Sequence, residues 1–197
     1  MRLAAMALAL AWCAGVAWAQ SAHIVVTHDD PDGLVDPGQV VRINFRISWT
    51  ANHTLSTLLG DAVARPDAGV ASNPGTELNM GQPSGSLALG TPALGSVRGF
   101  SLIWGPSPFQ MPGTTYWDGL DFLWYEWEAP AVPGPFEFDF VFDPQTQGAW
   151  LNAGLTNVFK VDLTSDPASL VVVPSPGALV VLGVGAVFVR RRRAISA

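Results

Sequence analysis

The chain has 197 residues, with 20 glycines and 16 prolines; 49% of its residues are hydrophobic and 13% are charged, and the net charge is −6. This length fits one domain with short appendages, and the glycine and proline content argues against a helical bundle or a coiled coil. Because Cys13 is the single cysteine, an internal disulfide framework and a cysteine-based zinc or iron–sulfur site are excluded.

The first 19 residues have the three parts of a secretory signal peptide. Arg2 supplies a positive charge, an apolar run extends over about residues 3–16, and Ala17-Trp18-Ala19 has the small-residue pattern of a cleavage site. The alternative is an uncleaved membrane anchor, which the shortness of the run and the polar sequence directly after it disfavour. We expect cleavage after Ala19, so that the exported domain begins at Gln20 and contains no cysteine.

The exported domain, predicted over residues 20–173, is more acidic than the whole chain. Arg2 and the four arginines 190–193 lie outside it, so five basic residues remain against all sixteen acidic residues, a net charge of −11. Such a domain repels nucleic acid, because no basic patch is available to neutralise phosphates. We therefore expect no nucleic-acid partner.

An acidic cluster, Asp29-Asp30-Pro31-Asp32-Gly33, is the first candidate site in chain order. Calcium sites often use aspartates at alternating positions before a glycine, so Asp30 and Asp32 are candidate calcium ligands. His28, however, stands where the first ligand would be, and Gln39 stands where a glutamate would close the loop. The simpler interpretation is a turn in which aspartate side chains bond their own backbone. No cofactor is expected unless this loop binds calcium.

Alternating apolar and polar residues predict strands in several segments. The pattern is clearest over residues 41–49 and over the phenylalanines of 136–142, each with one buried face. Further strands are predicted at 24–27, 97–104, 120–127, 158–163 and 170–173, with glycine and proline turns between them. About seven short strands with frequent turns predict an all-β fold, a two-sheet β-sandwich.

The segment Val35-Asp36-Pro37-Gly38-Gln39-Val40 opens one of these strands. It resembles the first strands of many bacterial immunoglobulin-like and cohesin-like modules. The resemblance implies the same sandwich architecture.

Residues 64–96 are the exception to the strand pattern. Glycine, proline, serine, alanine, asparagine and threonine dominate there, and large apolar residues are sparse. We expect an irregular, loop-rich segment with one or two short strands, around Leu78-Asn79-Met80 and Leu87-Ala88-Leu89.

Two tryptophans in one predicted strand suggest a glycan-binding alternative. Trp124 and Trp127 are three residues apart, so they point to opposite faces of the strand. Trp127 shares its face with Leu123 and Tyr125, and we expect that face to be buried. Trp124 beside Glu126 would then be exposed and able to stack on a sugar ring, although aromatic residues also fill sandwich cores.

Carboxylate pairs suggest a third, enzymatic alternative. Glu126 with Glu128, and Glu137 with Asp139, are two residues apart on predicted strands, which places each pair on one face at about 6–7 Å, within the range that glycosidases use. Many surface strands have the same spacing, and neither pair lies in an obvious apolar pocket. The chain has no nucleophile elbow, zinc-protease motif, phosphate loop or dinucleotide fingerprint. We expect a protein without catalytic residues.

The C-terminal segment, residues 174–197, has an ordered pattern of its own. Pro174-Ser175-Pro176 precedes an apolar segment of glycine, valine and leucine over 177–189, and Arg190-Arg191-Arg192-Arg193 follows it. As a helix the apolar segment is about 20 Å long, short for a bilayer of about 30 Å. The arginine cluster orients such a helix with its C-terminal end in the cytoplasm. A buried C-terminal element with a solvated basic tail is the alternative.

This segment resembles the PEP-CTERM sorting signal of exported bacterial proteins. In that family a Pro-Glu-Pro tripeptide precedes a short apolar helix and an arginine cluster, and a membrane transpeptidase, an exosortase, is thought to remove the helix. Pro174, Ser175, Pro176 and Gly177 match the motif, with serine in place of the glutamate. The resemblance implies an exosortase-type processing enzyme as a partner.

These observations favour an exported, non-enzymatic β-sandwich, anchored in the membrane by its C-terminal helix or released to the cell surface or extracellular matrix. Surface proteins or extracellular glycans are its expected partners. The alternatives that stay open are a glycan-binding module, a calcium-stabilised adhesion module and a polysaccharide hydrolase.

Overall fold

The computed structural model describes residues 20–50, 53–78, 85–104, 119–152 and 157–174. Within these ranges the chain forms thirteen β-strands. In chain order they are β1 (Ser21–His28), β2 (Leu34–Val35), β3 (Val40–Trp49), β4 (Thr54–Arg65), β5 (Val70–Gly75), β6 (Gly85–Ala88), β7 (Thr91–Ala93), β8 (Ser96–Trp104), β9 (Leu120–Glu128), β10 (Gly134–Val141), β11 (Gly148–Asn152), β12 (Val158–Asp166) and β13 (Ala168–Val172).

The strands form two layers, which we call sheet A and sheet B. Sheet A has the order β12-β1-β3-β9-β5. Strand β4 is central in sheet B, with β10 and β11 paired along one of its edges and β8 along the other. Strand β13 pairs with β10, and β2 pairs with β13. Strands β6 and β7 both pair with β8. This is the two-sheet, all-β architecture that the strand pattern predicts.

Strand β12 belongs to both layers. Its first half, Val158 to Val161, pairs with β11 in sheet B, and its second half, Asp162 to Asp166, runs parallel to β1 in sheet A. Because of this crossing, hydrogen-bonded pairing is continuous from one layer into the other.

The core lies between the two layers and is rich in aromatic rings. Phe45 of sheet A lies 6.3 Å from Phe140 of sheet B, centroid to centroid, and Trp127 lies 5.0 Å from Phe138. Apolar and polar residues alternate along β3 and β10, so every second side chain of these strands is buried in the core. The buried face of β3, predicted from the sequence, comprises Val41, Ile43, Phe45, Ile47 and Trp49.

The longest strand, β4, is not among the predicted ones. Its buried positions include Ser56, Gly60 and three small alanines or valines at 62–64, so the hydrophobic alternation is weak. Gly60 is required here because a Cβ at this position would lie 2.4 Å from the ring of Phe140. Strand β4 is stabilised by its pairing with β10, β11 and β8, and its own hydrophobic alternation is weak.

The loop-rich segment predicted at 64–96 contains more strand than expected. β4 extends to Arg65, and β5, β6 and β7 all lie in this segment. β6 includes Leu87 and Ala88 and confirms one of the two predicted short strands. Leu78 lies outside any strand, and the residues after it, 79–84, lie outside the described ranges.

The predicted terminal segments are also outside the described residues. This holds for the signal peptide, residues 1–19, and for the apolar segment 177–189 with its arginine cluster. Pro174 is the last described residue and follows β13 closely. Within the described ranges, no helix has the length and apolar character needed to cross a membrane.

Candidate functional site

The acidic loop after β1 is a turn organised by aspartate side chains. Asp30 Oδ1 accepts hydrogen bonds from the amides of Gly33 at 2.8 Å and Asp32 at 3.3 Å, while Oδ2 accepts one from Gln39 Nε2 at 2.9 Å. Asp32 Oδ1 accepts a bond from the amide of Leu34 at 3.0 Å. Burial acts to raise the pKa of Asp30, but these hydrogen bonds outweigh it and the pKa is lowered.

This geometry matches the turn interpretation of the sequence. Asp30 and Asp32, the candidate calcium ligands, direct their oxygens at backbone amides and at Gln39. Among the described residues, no group of three or more histidine, cysteine, aspartate or glutamate side chains is placed to hold a metal ion.

The two tryptophans of β9 face opposite sides of the strand, as predicted. Trp127 is fully buried with Tyr125 and Leu123, and its indole Nε1 donates a hydrogen bond to the carbonyl of Ala68 at 3.0 Å. Trp124 is half-buried on the outer face of sheet A, where the guanidinium carbon of Arg42 lies 4.1 Å from its ring centroid.

The carboxylates considered for hydrolysis lie on different sheets, and three of the four contact a neighbouring side chain. Arg65 Nη1 contacts Glu137 Oε1 at 3.3 Å and Asp139 Oδ2 at 3.0 Å, so one guanidinium bridges that pair. Glu126 accepts a hydrogen bond from Asn73 Nδ2 at 2.6 Å, and Glu128 is exposed at the end of β9. In each pair at least one carboxylate is therefore held by a neighbouring side chain.

A row of side chains crosses the outer face of sheet B. Ile103 of β8 and Trp150 of β11 both stand opposite Thr57 of β4, and Lys160 of β12 stands opposite Trp150. Residues directly opposite in a sheet share one face, so the four side chains form a continuous row across four strands. Ile103 is 44% exposed, which is high for an isoleucine and leaves it available for contact.

Further apolar side chains adjoin this row. Leu59, two residues along β4, is half-buried on the same face, and Val141 stands opposite Asp61 one step further. The Nζ of Lys160 lies 5.0 Å from the centroid of Trp150, which places a cation at the edge of the apolar area. We call the outward side chains of β4, β8, β10 and β11, together with Lys160 of β12, the β4 face.

The ion-paired side chains of the β4 face lie toward its other end, away from Lys160. Arg65 pairs with Glu137 and Asp139, and Arg98 contacts Asp67 at 3.1 Å and Asp61 at 3.6 Å. The face therefore has an apolar half with one aromatic ring and a polar half of internally paired charges. An aromatic anchor beside a polar margin is a common arrangement at protein interfaces.

Sequence reasoning did not find the β4 face. Its residues come from five separated segments, two of them strands that were not predicted, β4 and β11. The sequence signal that was present is a tryptophan between apolar residues in the pentapeptide 148–152, which is too short to show alternation on its own.

Comparison with solved structures places the fold among cohesin-like β-sandwiches. A type II cohesin domain from the cellulosome of Acetivibrio cellulolyticus matches with a TM-score of 0.50 at 12% identity, over 76% of this chain and 95% of that chain. A type I cohesin from Pseudobacteroides cellulosolvens matches with a TM-score of 0.49 at 10% identity, over 80% and 94%. A type II cohesin–X–dockerin complex from A. cellulolyticus matches with a TM-score of 0.49 at 12% identity, over 74% and 97%.

At this level of identity the likeness defines the fold alone. No protein-family model matches the sequence, and the search of curated proteins found no match.

Proposed function

We propose that residues 20–173 form an exported, non-enzymatic β-sandwich that binds a protein partner through the β4 face. The observation that carries the proposal is the row Ile103–Thr57–Trp150–Lys160, continuous across four strands and bordered by Leu59. Trp150, half-buried within this row, supplies a large contact area with few rotatable bonds. The cohesin-like fold agrees with a binding role, since the solved structures it resembles are cohesins.

Two features of the described residues support a role without catalysis. The carboxylates of Glu137 and Asp139 share Arg65, whose single positive charge offsets part of their negative charge. In the pair on β9, Glu126 accepts a hydrogen bond from Asn73 Nδ2 at 2.6 Å. A hydrolase requires an acid and a base on the two sides of one bond.

Export and sorting form the second part of the proposal. The signal-like residues 1–19 and the PEP-CTERM-like residues 174–197 support delivery across the membrane, followed by anchoring or by release through an exosortase-type enzyme. Terminal mapping by mass spectrometry on the native protein, with membrane and medium fractions kept apart, tests this part. A C-terminus near Pro174–Pro176 in the medium supports processing, and an intact tail in the membrane fraction supports permanent anchoring.

The binding part is tested with matched charge insertions on the two sheets. The full-length chain, its Ile103→Asp variant and its Val25→Asp variant are immobilised and incubated with the surface and secreted proteins of the native host. Val25 is the control, because it is 37% exposed on the outer face of sheet A. We expect a protein that the wild type and Val25→Asp retain and Ile103→Asp loses. Equal retention by all three would place the binding surface elsewhere.

A further inference from the structure

A second surface lies at one end of sheet A, where three segments border an open pocket of about 480 Å³. The segments are residues 37–38 before β3, 69–70 at the start of β5, and 128–131 at the end of β9. The volume is within the range of about 300–1,000 Å³ found for ligand pockets. We call this the end pocket. It lies on the opposite sheet from the β4 face.

Val70 is an exposed apolar side chain of the pocket lining, and Val40 and Val132 are exposed valines close to the lining segments in the chain. Val40 and Val70 are each 55% exposed and stand directly opposite Glu128 on its two sides, so the three form a row across β3, β9 and β5. Val132, just beyond the lining segment, is 70% exposed. Large aliphatic side chains grouped in this way are characteristic of a surface that is covered by a partner.

Among the residues that the structure describes, Glu128 is the one ionisable side chain that lines the end pocket. Within the described ranges its carboxylate has no ion pair, and each basic side chain there is engaged elsewhere. Arg42 pairs with Glu77, Arg46 with Asp121, Arg65 with Glu137 and Asp139, Arg98 with Asp61 and Asp67, and Lys160 donates to the carbonyl of Pro144. The pocket therefore presents one uncompensated negative charge between two valines.

The walls of the end pocket are held in place by hydrogen bonds. The amide of Gly38 donates to the carbonyl of Ala129 at 2.9 Å, and the amide of Ala129 donates to the carbonyl of Gln39 at 2.9 Å. Behind Gly69, the indole of Trp127 donates to Ala68 at 3.0 Å. A pocket formed in advance loses little conformational freedom when a ligand binds.

We propose that the end pocket binds an extended peptide segment of a partner protein, with a lysine or arginine on Glu128 and apolar side chains on Val40 and Val70. Charge complementarity selects the basic residue, because the one charge available in the pocket is negative. The valines on both sides select apolar residues two positions before and after the basic residue, because alternate side chains of an extended peptide share one face. This site is independent of the β4 face.

Fluorescence anisotropy tests the proposal with the full-length chain and a defined probe. The probe is a labelled, end-capped heptapeptide with leucine at positions 2 and 6, lysine at position 4, and glycine and serine elsewhere, so that the three side chains share one face of the extended peptide. A second peptide has norleucine in place of the lysine. We expect saturable binding of the lysine peptide and a loss of affinity of about two- to fivefold with norleucine, because the ion pair that is lost is an exposed one. Glu128→Gln should cause the same loss.

Two further variants complete the test. Asp162→Asn changes the net charge by the same amount elsewhere on the outer face of sheet A and should bind as the wild type does. Val70→Ser should weaken binding of both peptides, because it removes an apolar contact that does not depend on charge. Absence of saturable binding to the wild type, or an unchanged affinity in Glu128→Gln with an unchanged melting temperature, overturns the proposal. Ile103→Asp should leave peptide binding intact, which separates this site from the β4 face.

Discussion

The guanidinium carbon of Arg42 lies 4.1 Å from the centroid of the Trp124 ring, while Nη2 of the same side chain donates to Glu77 Oε1 at 2.7 Å. Gly75 approaches the same ring closely, since a Cβ there would lie 2.3 Å from Trp124 Cζ2. A sugar stacking on the ring face that Arg42 covers would have to displace the guanidinium. The predicted glycan contact of Trp124 therefore competes with an internal one.

The contact between Arg42 and Trp124 should be measurable as a coupling energy. In a double-mutant cycle of Arg42→Met and Trp124→Leu, we expect about 0.5–1 kcal/mol, the usual value of an exposed cation–π pair. Urea unfolding gives the four free energies. The control cycle uses Arg46→Met with Trp124→Leu, because Arg46 pairs with Asp121 instead and should show no coupling. Equal coupling in both cycles would contradict a specific contact.

Two glycines beside the end pocket should respond differently to alanine. Both have positive φ, +90° at Gly69 and +82° at Gly38. An added Cβ at Gly69 would lie 2.4 Å from Trp127 Nε1, whereas at Gly38 no atom lies within 4 Å. We expect Gly38→Ala to lower the free energy of unfolding by about 1 kcal/mol, because alanine is strained at a positive φ. Gly69→Ala should lower it by about 1–3 kcal/mol more, because the added Cβ also clashes with Trp127. Denaturant unfolding measures both, and equal costs would contradict the packing argument.

The acidic loop should make stability depend on low pH. Hydrogen bonds lower the pKa of Asp30 below its ordinary value of 3.8, despite the opposing effect of burial. A lowered pKa in the folded state stabilises the protein above the unfolded pKa, and this stability is lost as pH falls through the folded pKa. Asp30→Asn should therefore show a smaller difference in urea midpoint between pH 6 and pH 3 than the wild type. Asp162→Asn, outside the loop, should keep the wild-type difference.

Calcium addition tests the alternative interpretation of the same loop. Because Asp30 and Asp32 already accept bonds from Gly33, Leu34 and Gln39, we expect millimolar calcium to leave the melting temperature unchanged relative to a chelator. A ligand that binds the folded state alone raises stability by mass action. A rise in melting temperature that is lost in Asp30→Asn would establish a calcium site.

Tyr125 should make stability depend on high pH. Its ring is fully buried and its hydroxyl donates to the carbonyl of Gly95 at 3.2 Å. Burial, together with the negative charge of Asp67, raises the pKa of Tyr125 above its ordinary value of 10.0. Stability from a raised pKa is complete below the unfolded pKa and is lost as pH rises toward the folded pKa. Tyr125→Phe should cost about 1 kcal/mol at pH 7 and lessen the decline in urea midpoint above pH 10. An unchanged alkaline decline would contradict this.

Local alternation accounts for the strands that were predicted correctly. β3 and β10 each have one dry and one wet face, and both are strands with the expected face buried. Trp127 is buried on the face predicted for it. The alternation of buried and outward side chains is interrupted in β9, where the consecutive residues Phe122 and Leu123 are both buried. An irregularity in the pairing of β9 with β3 occurs at this point, and a bulge turns two consecutive side chains to one face.

The amino-acid sequence by itself determined the all-β class, the acidic charge of the domain and the absence of disulfides in it, because these depend on composition and on periodicity over a few residues. Tertiary structure alone decided which strands are neighbours. It placed Ile103 and Trp150 on the two sides of Thr57, and it placed Glu128 between Val40 and Val70. Both surfaces consist of residues far apart in the chain, and the pairing that unites them depends on the fit of whole strands across the core, which no local pattern encodes.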